Sequence, residues 1–556
     1  MIKNIIYIIF SILLSLLQLD MNAQNSNTAT NTQTTIGARP KLVVGIVIDQ
    51  MRYDYITRFY GQFDGGGFKK MIADGFLCKN HHYNYIPTKT ASGHASIATG
   101  TTPSNHGILG NNWYDKEKKE KIYCVEDLGV SPVGTSSYEG KKSPSQLQLT
   151  TLADQNRLHT QRRGKTISIS LKDRAAILSG GHMANAAYWF RGKDQGSWIS
   201  SSYYMDRLPQ WVLDFNESNA IDNYFKKWEP LHDIQSYGES GKDNTNFERG
   251  FKGKEDPKFP YDLEILKSSN KNYDIIKSTP FGNDLTIDFA IKAIDGEQLG
   301  KDTETDFLLI SFSSTDYIGH NFGVNSKEIE DTYLRLDKGL ERLLLSLDAR
   351  IGKGAYTVYL TSDHGATNVP QFLKSVKIPA GYFKEASFKI DLKNYVYLLY
   401  NLQDLILDIS NNQVFLNEEL MKQKGLNPNK IQYQIAQYIL KHKDIKNVYT
   451  RTQLENTSYS SGIASFVQQG FHQKRSGDIL YTLNPFTVAY AKTGSAHGSG
   501  YTYDTHVPLL FYGFGINKGH TSEKTLAIDI APTIASLLGI AFPNGATGTV
   551  ISSAID

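Results

Sequence analysis

The chain has 556 residues, with 59 Lys or Arg against 56 Asp or Glu, a formal net charge of +3. At 40% apolar and 21% charged residues it is neither a disordered chain nor a multi-spanning membrane protein, and its small charge excludes a general electrostatic binder of nucleic acid. Two cysteines rule out a disulfide framework and a cysteine-rich zinc module.

In chain order, Lys3, the apolar run Ile5 to Leu19 and the small residue Ala23 have the arrangement of a secretory signal peptide. The run is shorter than the ~20 residues that cross a bilayer as a helix; the alternative is an uncleaved N-terminal anchor. Cleavage after Ala23 is expected, giving an exported, periplasmic protein free of the membrane, with a flexible leader over 24–40. In an oxidising compartment Cys78 and Cys124 either pair or remain two small buried residues.

Lys41-Leu-Val-Val-Gly-Ile-Val-Ile48 is a continuous β-branched run ending at Asp49, the pattern of a strand buried on both faces of a parallel sheet. Similar runs are Thr166 to Leu171 before Lys172, Phe307 to Phe312 before Asp316, Tyr356 to Leu360 before Asp363, and Val507 to Tyr512. Between them Ile329, Tyr333, Leu336, Leu340, Leu343 and Leu347 recur at spacings of four and three, one apolar helix stripe. Ile528 to Leu538 predicts another helix. Strands alternating with amphipathic helices indicate an α/β sandwich with a mostly parallel sheet, whose ligands collect beyond the carboxyl ends of strands. Two regions, about 191–278 and about 371–490, break the pattern and are expected to cap that end of a catalytic domain over 41–556. The second contains its own helix signal, Lys430 to Lys441.

Asp49, Asp316, His320, Asp363 and His364 follow predicted strands, and His497 lies in a Gly-rich loop. Taken alone, Asp316 with His320 reads as a turn with an N-cap and a surface His, and an Asp-His pair such as 363–364 is more often a loop end than a ligand pair. Together, imidazole and carboxylate without thiolate suit zinc, and six such ligands divide into two incomplete sets, as in a two-metal hydrolytic site. Pro87-Thr-Lys-Thr90-Ala-Ser-Gly-His94 places Thr90 before small residues that open a helix, where backbone N–H groups favour an anion. Thr90 or Ser92 could equally be a plain N-cap. His81 and His82 are left out as ligands, and His94 and His106 are expected to fix loops by hydrogen bonds.

These segments, with Gly107-Ile-Leu-Gly-Asn111, Asp316-Tyr-Ile-Gly-His320, Thr361-Ser-Asp363-His364-Gly and Gly494-Ser-Ala-His497-Gly-Ser-Gly, resemble the alkaline phosphatase superfamily. The resemblance is greatest to the periplasmic, phosphate-irrepressible (PafA-type) alkaline phosphatases and spans nearly all of the mature chain. It implies a three-layer α/β/α sandwich and two Zn2+ ions. One would be held by Asp316, His320 and His497, the other by Asp49, Asp363, His364 and the oxygen of Thr90. It further implies that Asn111 donates its amide to a phosphate oxygen, and that phosphate monoesters are hydrolysed by double displacement through a phosphothreonine at Thr90.

Related nucleotide pyrophosphatase/phosphodiesterases share those residues. Ser170-Leu-Lys172-Asp-Arg174 fits the monoesterase pattern instead: in extended chain, Lys172 and Arg174 would face the same way and meet one dianionic phosphate. Thr90-Ala-Ser-Gly-His94 lacks the Pro and Arg of a sulfatase, and a phosphoglycerate mutase would carry Ser in place of Thr90. A metal- or phosphate-binding pseudoenzyme is the non-catalytic alternative. The expected partners are small phosphate monoesters, with no nucleic acid, and the expected state is a monomer.

Overall fold

The computed structural model describes residues 39–218 and 220–555; the signal-peptide reading of residues 1–23 lies outside them. A 10-stranded sheet organises the chain. In sequence its strands are β1 (Leu42–Ile48), β2 (Phe76–His82), β3 (Pro132–Val133), β4 (Thr166–Ser170) and β5 (Ala186–Arg191), followed by β6 (Ser197–Ser201), β7 (Asp306–Phe312), β8 (Tyr356–Thr361), β9 (Leu509–Gly513) and β10 (Gly519–Leu526). In space they run β10-β2-β9-β8-β1-β7-β4-β5-β6-β3. Pairing is parallel from β8 through β1, β7 and β4 to β5, and between β2 and β10. Two strands run against the rest: β9, antiparallel to β8 and β2, and β6, antiparallel to β5 and β3. The sheet is mostly parallel, as the buried runs indicate.

Strand alternation divides the core into two layers. Leu42, Val44, Ile46 and Ile48 of β1 join one apolar cluster, while Val43 and Val47 point into another. The cluster of Val43 and Val47 takes Ile97 from α1 (Thr90–Thr99) and Ile534 and Leu538 from α6 (Ile530–Leu538). The opposite cluster takes Leu285 and Phe289 from α3 (Phe281–Gly296) and the stripe of α5 (Lys327–Arg350). All six stripe residues, Ile329 to Leu347, are buried there, each worth roughly 1.5–3 kcal/mol against exposure to water. The start of α5 is fixed by Ser326, whose hydroxyl accepts from the Ile329 amide, with Glu328 and Glu330 in the first turn.

Within 371–490 the chain builds a separate four-stranded sheet from Ile406–Ser410, Gln413–Leu416, Ile479–Leu483 and Ile445–Thr450. Phe388, Leu392, Ile431 and Ile435 from two covering helices give it a core of its own. The region 191–278 behaves differently. Trp228, Tyr237 and Tyr261 join the main core, and their polar tips hydrogen-bond to α5: Trp228 and Tyr237 to Asp331, Tyr261 to Glu328. Cys78 and Cys124 are buried and unpaired, so the disulfide alternative is not realised.

Candidate active site

The carboxyl edge of the sheet gathers the strand-end residues. Asp49 follows β1, and Asp363 and His364 follow β8. Asp316 and His320 sit one turn apart on α4 (Ser314–Phe322), which follows β7. The reversal of β9 delivers the remaining histidine: Thr361 at the end of β8 pairs with Leu509 at the start of β9. The loop before β9 therefore lies over the same edge, and it carries His497.

The side chains converge. Ligand atoms of Asp316, His320 and His497 lie within 4.8 Å of one another, as do those of Asp49, Asp316 and His364. His320 Nε2 is 3.2 Å from Asp316 Oδ1, and His364 Nε2 is 3.6 Å from Asp49 Oδ1 and 3.5 Å from Asp363 Oδ2. The rings of His364 and His497 stack at 3.5 Å. Asp363 thus stands beside His364, while Asp316 touches both groups.

Each imidazole is oriented from behind. Nδ1 of His320 meets the Ser495 carbonyl at 2.7 Å, that of His364 the Gly365 carbonyl at 2.9 Å, and that of His497 the Thr88 carbonyl at 2.8 Å. A carbonyl only accepts, so Nδ1 carries a proton in each ring and Nε2 faces the cluster. Burial pushes His364 and His497 well below the usual histidine range, which keeps both neutral. Burial, then the charge of Asp49, pushes Asp363 well up. Asp49 rises to about 6, burial outweighing its Lys172 partner. For Asp316, burial is more than offset by His320 and Lys172, and its carboxyl stays well below the usual range. Asp49 Oδ1, Asp363 Oδ2 and His364 Nε2 are buried without a hydrogen-bond partner. Neutral imidazoles and unpartnered carboxylate oxygens aimed at one another are the donor set of a divalent metal site.

Thr90 is buried at the first position of α1, between two arms of this cluster. Thr88 binds His497 as above. On the other side, His94 Nδ1 lies 2.9 Å from the Thr90 carbonyl and 3.5 Å from Asp363 Oδ2. The close approach depends on Gly93, where a Cβ would stand 2.3 Å from the Asp363 carbonyl oxygen. Gly494 plays the same part in the other loop, at φ +73 and with a Cβ position 2.0 Å from the His320 carbonyl oxygen. Asn111 Oδ1 accepts from the Ala91 amide at 3.1 Å, which leaves its Nδ2 to donate elsewhere.

The extended chain expected across Lys172 and Arg174 is not what forms. Lys172 is the N-cap of α2 (Asp173–Gly180), and Arg174 already lies in its first turn. The strand ends at Ser170, and Asp173 supplies a carboxylate to the helix start. Lys172 Nζ is held 2.6 Å from Asp49 Oδ2 and 2.5 Å from Asp316 Oδ2. Arg174 donates to the Tyr123 hydroxyl at 3.2 Å, and that hydroxyl donates to Asp173 at 2.6 Å.

Other residues shape the site without having stood out in sequence. Gln50 donates its side-chain amide to Asp316 Oδ1 at 2.6 Å and its backbone N–H to Asp363 Oδ1 at 3.1 Å. Asp504 Oδ2 accepts from the Gly498 and Ser499 amides, at 3.1 and 2.7 Å, and so fixes the His497 loop. The one available signal for Gln50 was its position next to Asp49. His94 and His106 make the expected hydrogen bonds, His106 to Ser96. His81 and His82 lie on β2 and bond to Thr525 and Asn80. A cavity of about 480 Å³ opens from Asn111, His320 and His497 towards Asn411, Tyr481 and Tyr490 of the cap.

A family model for type I phosphodiesterase / nucleotide pyrophosphatase matches residues 43–507. The alkaline phosphatase PafA of Elizabethkingia meningoseptica is 42% identical over 94% of this chain and 96% of its own. The alkaline phosphatase PhoV of Synechococcus elongatus is 44% identical over 93% of each. A crystal structure of wild-type PafA superposes with a TM-score of 0.90 at 41% identity, covering 93% of this chain and 99% of that one. This chain belongs to the alkaline phosphatase superfamily, with the PafA-type enzymes. As a PafA-type chain it shares its fold with that structure. A Myroides odoratus protein named calcium-transporting ATPase is also 42% identical, over 93% of this chain. Among the described residues, no helix is long and apolar enough to cross a membrane.

Proposed function

We propose that this chain is an exported alkaline phosphatase that cleaves phosphate monoesters of broad structure to alcohol and inorganic phosphate, with Thr90 as nucleophile and two zinc ions as cofactors. The observation that carries the reading is the placement of Thr90. It opens a ten-residue helix wedged between Asp363 and His497, and a neutral-imidazole and carboxylate cluster forms the opposite wall. Asp316, His320 and His497 would hold one ion; Asp49, Asp363, His364 and Thr90 the other. Such ions supply positive charge and Lewis acidity to the oxygens exchanged at phosphorus.

The chain's own groups account for the rest. Thr90 Oγ forms a bond to phosphorus as the ester P–O bond breaks, giving a phosphothreonine and an alcohol. Water then displaces Thr90 and releases phosphate. The α1 N-terminus and the free Nδ2 of Asn111 face the non-bridging oxygens, and Arg174 offers a guanidinium fork braced by Tyr123. Lys172, between Asp49 and Asp316, adds a fixed positive charge beneath the phosphoryl group. A monoester dianion carries more negative charge than a diester, and this paired cation set suits the dianion.

The phosphodiesterase reading draws support from the family model alone, and Lys172 and Arg174 weigh against it. The deciding experiment measures kcat/KM for an aryl phosphate monoester and the matching diester, with metal content determined on the same sample. Monoester preference of about 10²-fold or more is expected. A diester preference would overturn the assignment, and absence of zinc would remove the proposed cofactor.

A further inference from the structure

The cavity that opens from the sheet edge holds a cation that the chemistry above leaves unused. Lys89, the residue before Thr90, is half-buried and lines that cavity together with Asn111, His320 and His497. Its stem runs between two loops of the site. A Cβ at Gly110, next to Asn111, would stand 3.9 Å from Lys89 Cγ, and a Cβ at Gly498, next to His497, would stand 2.9 Å from both Cε and Nζ. Gly498, at φ +125, thus leaves the room that the ammonium fills.

The lysines along the cavity wall are neutralised differently. Lys121 pairs with Asp408 at 3.3 Å and Lys389 with Glu385 at 2.8 Å. Lys89 Nζ instead donates to the His497 carbonyl at 2.9 Å, a neutral acceptor for one of its three N–H bonds. The opposing charge that acts on it most is Asp504. That carboxylate is already engaged: its Oδ2 accepts from the Gly498 and Ser499 amides and from the Ser499 hydroxyl. Burial therefore outweighs the charged neighbours and lowers the Lys89 ammonium from its ordinary value. A partly desolvated ammonium held by a carbonyl rather than a carboxylate gains from an anion that arrives through the cavity.

Resting on the phosphatase reading of this site, we propose that Lys89 contacts the alcohol portion of the substrate. It selects phosphate monoesters whose alcohol carries a second anionic group, a carboxylate or a further phosphate, close to the ester oxygen. Lys172 is tied between Asp49 and Asp316, and Arg174 to Tyr123, so neither is free to follow a second anion. Lys89 adjoins Thr90 in the chain and His497 in space, which keeps its reach near the bond that breaks. A neutral alcohol gives the ammonium no charged partner, whereas a carboxylate one carbon from the ester oxygen accepts a charge-assisted hydrogen bond.

The same ammonium tethers the His497 loop, so the test separates contact with substrate from that tether. On the exported, zinc-loaded chain, kcat/KM is measured for phosphoglycolate and for 2-hydroxyethyl phosphate, in which a hydroxymethyl group replaces the carboxylate. Lys89→Met keeps the stem and removes the charge. It is expected to lose about 10-fold or more on phosphoglycolate and less than about threefold on 2-hydroxyethyl phosphate, with zinc content at the wild-type level. Lys89→Arg restores a cation and is expected to recover most of the loss. Lys89→Gln, which still donates to the His497 carbonyl, gives the same comparison should Lys89→Met fail to fold. Equal losses on the two substrates would overturn the proposal and leave Lys89 as a tether alone. So would variants with wild-type kinetics on both. A wild type inactive on every phosphate monoester would instead overturn the phosphatase reading, and this assignment with it.

Discussion

The sheet edge and the cap are built on opposite principles. At the edge, polar side chains hundreds of positions apart are brought together by strand ends and the loops that follow them, with His320, His364 and His497 each held by a backbone carbonyl. In the cap, neighbouring strands and helices close their own small core, and apolar contacts at Ile86 and Tyr114 together with polar ones attach it to the main body. Lys116 joins the Asn112–Asp115 strand to Asp478 at 2.9 Å, Lys121 reaches Asp408 at 3.3 Å, and Asn411 donates to the Asn112 carbonyl at 2.6 Å. The edge cluster is therefore fixed by long-range topology, while the far wall of the cavity belongs to a unit with its own core.

The largest test of this division falls on the edge. Thr90→Ala is expected to reduce kcat/KM by at least about 10³-fold and to abolish the acid-trapped phosphothreonine seen by mass spectrometry. Label still trapped on the variant would sink Thr90 as nucleophile. Arg174→Ala is expected next, lowering monoester kcat/KM by about 10²-fold while diester hydrolysis changes by less than about threefold. Equal losses would show that Arg174 does not read the dianion.

The cap should respond in another currency. Asp478 is 2% exposed and accepts from Lys116, Arg451 and the Leu416 amide. Asp478→Ala leaves Lys116 with Glu418 and Arg451 with Glu455, removes the acceptor of the Leu416 amide, and should destabilise the cap by about 1–3 kcal/mol. Hydrogen exchange should rise over 406–483 while bound metal stays at the wild-type level. Loss of metal in that variant would show that the two regions are one cooperative unit. Smallest of all is Lys119→Ala at the exposed Lys119–Glu419 pair, where the side chains are 59% and 72% exposed. Its effect on stability should stay within about 0.5 kcal/mol in a denaturant titration.

Much of the edge was legible in sequence because a β-branched run ending in Asp is a local signal. Asp49, Asp316 and Asp363 each follow such a run, and the spacing of Asp316 and His320 is already that of one helix turn. Other features depend on partners elsewhere in the chain. The run at 507–512 is visible, but its reversed direction follows from pairing with β8 and β2, which no local pattern records. Lys172 and Arg174 were visible as a pair; the helix beginning at Asp173 was not, since β4 and α2 meet without a glycine or proline to mark the join. Gln50 and Asp504 act through other residues' backbones and ligands, a role that polar residues at loop positions do not advertise. The separate core of the cap required seeing Phe388 and Ile435 against the same strands.

The reversed strand β9 also sets an order of events. Its pairing with β8 is what brings the His497 loop over the edge, and it comes near the end of the chain. A polypeptide still being synthesised already contains β1, β7 and β8 with Asp49, Asp316 and Asp363. It lacks His497 and the clasp that carries it until almost all of its length has emerged. On the proposed ligand set, full metal affinity thus arrives last, and an unfinished chain presents an incomplete cluster.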